Sequence, residues 1–121
     1  MSQVVGAVTY CHANNVIHRD LKMANVMVRH CKLNDAKEGR IPQKPVVVVV
    51  DFGFAEILRG QDRGKEGKGS PIFAAPELFK QNYGPKVDVW SMGVMTFVLL
   101  TGTFPFPATE MQEPMFFLTL S

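Results

Sequence analysis

Fourteen residues from Val87 to Leu100 read VDVWSMGVMTFVLL, with Asp88 as their single charge. Apolar residues on nearly every side of a helical wheel mark a helix buried all round. A chain that carries such a helix must surround it, so the feature calls for layered packing and excludes an extended, disordered design. Thr101-Gly102 closes the helix, and Pro105 and Pro107 forbid its continuation. The segment is also too short to cross a bilayer.

The 121 residues suffice for one domain with a modest core. Hydrophobic residues make up 46% and charged residues 20%, an ordinary globular balance. A net charge of +2 gives no electrostatic ground for a nucleic-acid or membrane partner. The start, MSQVVGAVTYCH, lacks a basic stretch followed by a long apolar run, so no secretory signal is expected. Cys11 and Cys31 are the only cysteines and form no C-x-x-C pair. A soluble chain of the reduced cytoplasm or nucleus is expected.

Val4, Val5, Val8 and Cys11 recur at helical spacing, which predicts an amphipathic helix over 2–13 with Asn14-Asn15 as its stop. Val26-Met27-Val28 predicts a short strand. Val46 to Val50 is a run of β-branched residues without alternation, a strand buried on both faces. Residues 29–45 between them are polar, basic and broken by Gly39, Pro42 and Pro45. They read as a solvated loop, with a partner-docking insert as the second reading. Residues 59–71 (RGQDRGKEGKGSP) predict a flexible segment, and Pro76 opens a short helix through Phe79.

Into this frame falls VIHRDLKMAN, Val16 to Asn25. Asp20, Lys22 and Asn25 lie in one loop between a helix and a strand, and Asp51 ends the next strand. Pairing of the two strands would bring all four side chains to one cleft. Two carboxylates and a carboxamide offer hard oxygen ligands that suit Mg²⁺ rather than zinc. The lysine offers positive charge to a phosphoryl oxygen, and an aspartate can orient a hydroxyl and accept its proton. Such a set fits phosphoryl transfer, which asks mainly for positioning and charge neutralisation. Taken alone, the ten residues also read as a solvated loop.

The order of motifs decides between these. HRDLKMAN resembles the protein-kinase catalytic loop, and VVVVVDFG the strand and magnesium motif that follow it. AAPE at 74–77 resembles the end of the activation segment. YGPKVDVWSMGVMTFVLLTGTFPF, 83–106, resembles the segment around the buried central helix of the large lobe. The resemblance covers nearly the whole chain, in the family's order and at compatible spacing. Lys22 and Gly69-Ser70-Pro71 look like those of serine/threonine kinases, and 87–106 looks most like the calcium/calmodulin-dependent and calcium-dependent group.

The resemblance implies an α+β, protein-kinase-like fold: residues 1–121 as a partial, incomplete C-terminal lobe, mainly helical, with a small β-hairpin at the active site. It implies Mg²⁺-dependent transfer of the ATP γ-phosphoryl group to protein serine or threonine hydroxyls. Asp20 would be the catalytic base and Lys22 would neutralise the transferring phosphate. Asn25 and Asp51 would hold Mg²⁺, and Met27 would floor the adenine site, supported from below by Met95 and Leu99. His18 and Phe52 would stack in an internal hydrophobic column. Asp88 would anchor the catalytic-loop backbone, Ser70 would lie in the substrate-facing loop, and Glu77 would pair with an arginine of a later helix. ATP and a protein substrate are the implied partners, with a calcium-sensing regulator in the full-length protein.

Met23 and Ala24 stand where the family usually has proline and glutamate. That glutamate often recognises a basic residue, so the resemblance gives no ground for an arginine preference near the phosphosite. Glu66 stands at about the place of an activating phosphothreonine, and its carboxylate is expected to pair permanently with Arg19. No glycine-rich loop, strand lysine or partner glutamate is found, so the small lobe and the last helices are expected to be absent, helix 87–100 to be left with exposed apolar surface that favours aggregation, and the isolated chain to have little activity. The rival to an enzyme is a non-catalytic truncated lobe that acts as a binding or regulatory protein. His18 reads as packed core rather than metal ligand or base. Ser70 reads as loop packing rather than phosphosite, and Cys11-His12 with His30-Cys31 fits no zinc template.

Overall fold

The computed structural model describes residues 1–29 and 45–107. Helix α1, Ser2–Ala13, buries Val4 and Val8, and the chain leaves it through Asn15 at φ 62°, a left-handed turn that asparagine tolerates. Strand β1 (Val16–Ile17) follows. A loop and one 3₁₀ turn (Met23–Asn25) lead into β2, Val26–Arg29. Strands β3 (Val46–Val49) and β4 (Glu56–Ile57) precede α2 (Pro76–Phe79) and α3 (Lys86–Thr101). Pro76 occupies the first turn of α2, where its missing N–H costs nothing. Gly102 ends α3 at φ 73° and returns its N–H to the Val98 carbonyl at 2.8 Å.

The two valine-rich strands pair antiparallel, Val26 opposite Val49 and Arg29 opposite Val46. A second, smaller pair joins β1 to β4, with Ile17 opposite Glu56. The sequence reading did not foresee this pair, because two-residue strands carry no periodicity. The first core cluster gathers Val4, Val8, Leu21 and Met95, with Val26, Val47 and Val49 packed on it. The second gathers Ile17, Leu58, Ala74, Ala75, Leu78, Tyr83 and Val87. Leu21 is fully buried, worth about 2 kcal/mol of apolar transfer, and roots the polar loop between α1 and α3.

Helix α3 keeps apolar surface open among the described residues, as expected of a partial lobe: Val87, Ser91, Val94 and Met95 are buried, while Val89, Phe97, Leu99 and Leu100 are exposed. Two expectations change. Strand β3 has no fully buried residue: Val47 and Val49 meet the core, Val48 is half-buried on the other face and Val46 is exposed. Residues 59–71 lack regular structure yet are pinned, with Gly64 bridged to Tyr83 in antiparallel fashion. The 29–45 loop reading falls, past Arg29 and up to Pro45, outside the described residues. No helix among the described residues is long and apolar enough to cross a membrane.

Candidate active site

Asp88 organises the loop from beneath. It is fully buried, and its two carboxylate oxygens accept the backbone amides of His18 and Arg19, each at 2.9 Å. His12 from the last turn of α1 adds a contact from Nε2 at 2.8 Å. A buried carboxylate must be compensated, and here two main-chain donors and an imidazole do so. His12 had appeared in the sequence only in the discarded zinc set. Burial, with the Asp88 charge second, pushes the Cys11 thiol up, which makes it a poor thiolate ligand. His30 and Cys31 lie outside the described residues.

His18 is buried, and both ring nitrogens are used. Nδ1 accepts the Asp20 amide at 3.2 Å, so the proton lies on Nε2, which donates to the Val50 carbonyl at 3.0 Å. Its ring meets Phe52 edge-on rather than stacked, with centroids 4.7 Å apart.

Around Asp20 the loop closes on itself. Asn25 Nδ2 donates to the Asp20 carbonyl at 2.8 Å and approaches its Oδ2 at 3.4 Å. Lys22 Nζ lies 3.4 Å from the same Oδ2. Oδ1 accepts both the amide (3.0 Å) and the hydroxyl (2.7 Å) of Ser70, whose oxygen in turn accepts from Lys22 Nζ at 2.9 Å. Gly69 permits this approach: at φ 150° a Cβ there would stand 2.7 Å from the Arg19 carbonyl oxygen. Asp20, Lys22, Asn25 and Ser70 thus form one cluster.

Asp51 stands beside the cluster, with no side-chain contact to it. Its neighbour Val50 donates to the Asn25 carbonyl at 2.9 Å, and its own exposed carboxylate accepts the Gly53 amide at 3.2 Å. Its φ of 61° lies in the left-handed region that aspartate tolerates, while 67° at the bulkier Arg19 is held there by the surrounding contacts. The donor set suits a hard cation. Asn25 spends its NH₂ on Asp20 and keeps Oδ1 as an oxygen donor, and Gly53 leaves room for the Asp51 carboxylate that a Cβ would crowd at 3.1 Å. No group of three or more His, Cys, Asp or Glu that could hold a metal by itself occurs among the described residues.

Met27 lies exposed on the face of the hairpin opposite Val26, which packs against the cluster that holds Met95. Met95 therefore supports Leu21 and the hairpin's inner face rather than Met27, and exposed Leu99 supports neither. Glu77 is half-buried in α2, and no ion pair reaches it among the described residues.

The expected pairing of Glu66 with Arg19 is corrected. The Glu66 carboxylate is exposed and pairs with Lys68 at 2.8 Å, a contact that lowers its pKa. Only its backbone carbonyl meets Arg19 Nη1, at 3.3 Å. The guanidinium pairs instead with Glu56 at 3.0 Å and donates to the Tyr83 hydroxyl at 2.6 Å and to the Phe54 carbonyl. Tyr83 is fully buried, and burial raises its pKa. Sequence reasoning missed Glu56 and Tyr83. The available signal was that a buried arginine needs a carboxylate, and Glu56 is the acid nearest Asp51 in the chain.

Residues 1–118 match the protein kinase domain family. The chain is 40% identical over 113 residues to the serine/threonine-protein kinase SIK3 homolog of Danio rerio, covering 92% of this chain and 8% of that protein. It is 39% identical over 109 residues to calcium-dependent protein kinase 13 of Arabidopsis thaliana, covering 90% and 19%. It is 39% identical over 106 residues to the SNF1-related protein kinase catalytic subunit alpha KIN12 of the same plant, covering 86% and 19%. The chain thus spans less than a fifth of the length of these relatives. It belongs to the protein kinase domain family, among the serine/threonine kinases.

Proposed function

We propose that the protein bearing this chain transfers the γ-phosphoryl group of ATP to serine or threonine hydroxyls of a protein substrate. The seat of Ser70 carries the reading: a serine hydroxyl donates to Asp20 at 2.7 Å while the Lys22 ammonium approaches the same oxygen at 2.9 Å. Ser70 takes Asp20 Oδ1. Oδ2, with only the two 3.4 Å contacts, is the oxygen left for an incoming hydroxyl. As the substrate oxygen bonds to the γ-phosphorus, its proton passes to Asp20 and the bond to the bridging oxygen of ADP breaks. Lys22 meets the charge on the transferring group. Asn25 Oδ1 and the Asp51 carboxylate would hold Mg²⁺, which supplies charge neutralisation at the phosphoryl oxygens. Met27 would meet the adenine from the hairpin's open face.

The reading includes a reduced compartment, cytoplasm or nucleus, on the cysteine usage, and a calcium-sensing regulator, on the ground that several relatives are calcium-dependent by name. The test is ATP-dependent labelling of a generic protein substrate by the native protein, with and without Mg²⁺ and Ca²⁺. Wild type should label serine or threonine, and Asp20→Asn should lower the rate by about 10²–10⁴-fold. Equal labelling by wild type and Asp20→Asn would overturn the assignment of Asp20. No labelling by either would favour a non-catalytic binding protein.

A further inference from the structure

Arg19 immediately precedes Asp20, and its buried guanidinium gathers three distant stretches of chain. Phe54 and Glu56 come from the segment that follows Asp51, Glu66 from the irregular segment, and Tyr83 from the turn before α3. The Tyr83 hydroxyl closes the knot, with its proton between Glu56 Oε2 at 2.9 Å and the Glu66 carbonyl at 2.7 Å. Tyr83 is tied further by backbone bonds to Gly64 at 2.8 and 3.4 Å. Both sides of the Asp20–Ser70 contact are thereby referenced to one point. Arg19 holds its own side, and Gly64 and Glu66 hold the segment that delivers Ser70.

A buried guanidinium needs an anion. That anion could be a carboxylate of the chain or a phosphoryl group added to a neighbouring segment. Among the described residues, Glu56 is the only carboxylate in contact with Arg19, and the Glu66 carboxylate is engaged by Lys68. Ser70 is the one hydroxyl between residues 59 and 71, and it is held by Asp20 and Lys22 rather than by Arg19.

We propose that Glu56 and Tyr83 are positioning residues: they act through Arg19 to hold residues 64–70 against Asp20, so that the segment is ordered with no phosphoryl group attached to it. This rests on the phosphotransfer reading above for its effect on rate, but not for its effect on segment order. The segment carries trypsin sites at Lys65 and Lys68, with Arg59 and Arg63 just before it, which make its order directly measurable.

The test uses the native protein as wild type, Glu56→Gln and Tyr83→Phe, each followed by limited trypsin digestion and by ATP-dependent substrate labelling. Wild type treated with a phosphatase should keep its trypsin pattern and its rate. Glu56→Gln should be cut after Arg63 and Lys65 at least tenfold faster. Its kcat should fall about tenfold, with the KM for ATP changed less than twofold. Tyr83→Phe keeps the charge pair and should shift both readouts in the same direction by less, which decides the matter if Glu56→Gln does not fold. Phosphatase treatment that opens the segment, or variants cut like wild type, would overturn the proposal. If wild type labels nothing while Glu56→Gln still opens the segment, the positioning role stands and only the phosphotransfer reading fails.

Discussion

A methyl group on Gly64 would lie 2.0 Å from Tyr83 Cε2 and 2.2 Å from Cζ, so the bare backbone at 64 is what lets the tyrosine ring reach Arg19. The ring is fully buried and cannot swing aside without breaking three polar contacts. Gly64→Ala should therefore cost about 1–3 kcal/mol of stability, read from denaturant unfolding, and should cut any activity along with it. An unchanged midpoint would mean that the ring finds room elsewhere. At this scale, legibility in the sequence followed distance along the chain. Asp20, Lys22 and Asn25 could be placed together because they are local, and Asp51 because a strand pairing brings it back. Tyr83 lies 64 positions from Arg19, and no spacing rule connects them. A separation of 50 positions likewise hid Ser70 as a partner of Asp20, although the Gly-Ser-Pro motif had marked it as part of a loop.

Each short element here derives its position from one or two inward residues. The loop after β1 is rooted by Leu21, which packs on Val4 and Val8 of α1 and on Met95 of α3. Truncation of that root should loosen two helices and the loop together. Leu21→Ala is expected to lose about 2–5 kcal/mol, checked by thermal or denaturant unfolding. A loss below 1 kcal/mol would show that the site collapses without strain. Elements with a periodic pattern were legible: α1 is Ser2–Ala13 and α3 is Lys86–Thr101, close to their predicted spans. The degree of burial was not. Five valines in a row and an apolar helix report that cover is needed, whereas the cover itself depends on which neighbours arrive. Among the described residues β3 is half-buried and α3 is covered on part of its circumference. The strand pair β1–β4 was missed because two residues on each side carry no periodicity.

At the scale of the molecule, the outer flank of α3 leaves large apolar side chains exposed among the described residues. Phe97, Leu99 and Leu100 are exposed, Leu100 by 81%, beside an apolar groove lined by Trp90, Val94 and Phe106. Trp90 Nε1 is buried there without a hydrogen-bond partner among the described residues. Surface of this kind drives association. The 121-residue chain on its own should increase in mass with concentration in the micromolar range, measured by sedimentation or light scattering, and Leu100→Lys should reduce the effect. A monodisperse monomer for the unaltered chain would contradict this. The hairpin shows the opposite management of risk. Consecutive valines are the composition from which cross-β stacks grow, because an unpaired strand edge is a template for another chain. Gln3 of α1 sits at that edge, accepting the Val47 amide at 2.9 Å and donating to the Pro45 carbonyl at 3.0 Å. One glutamine side chain thus imitates a neighbouring strand for a single register step and stops there. What could have been the first rung of a fibril is closed by a residue that cannot be followed by a second.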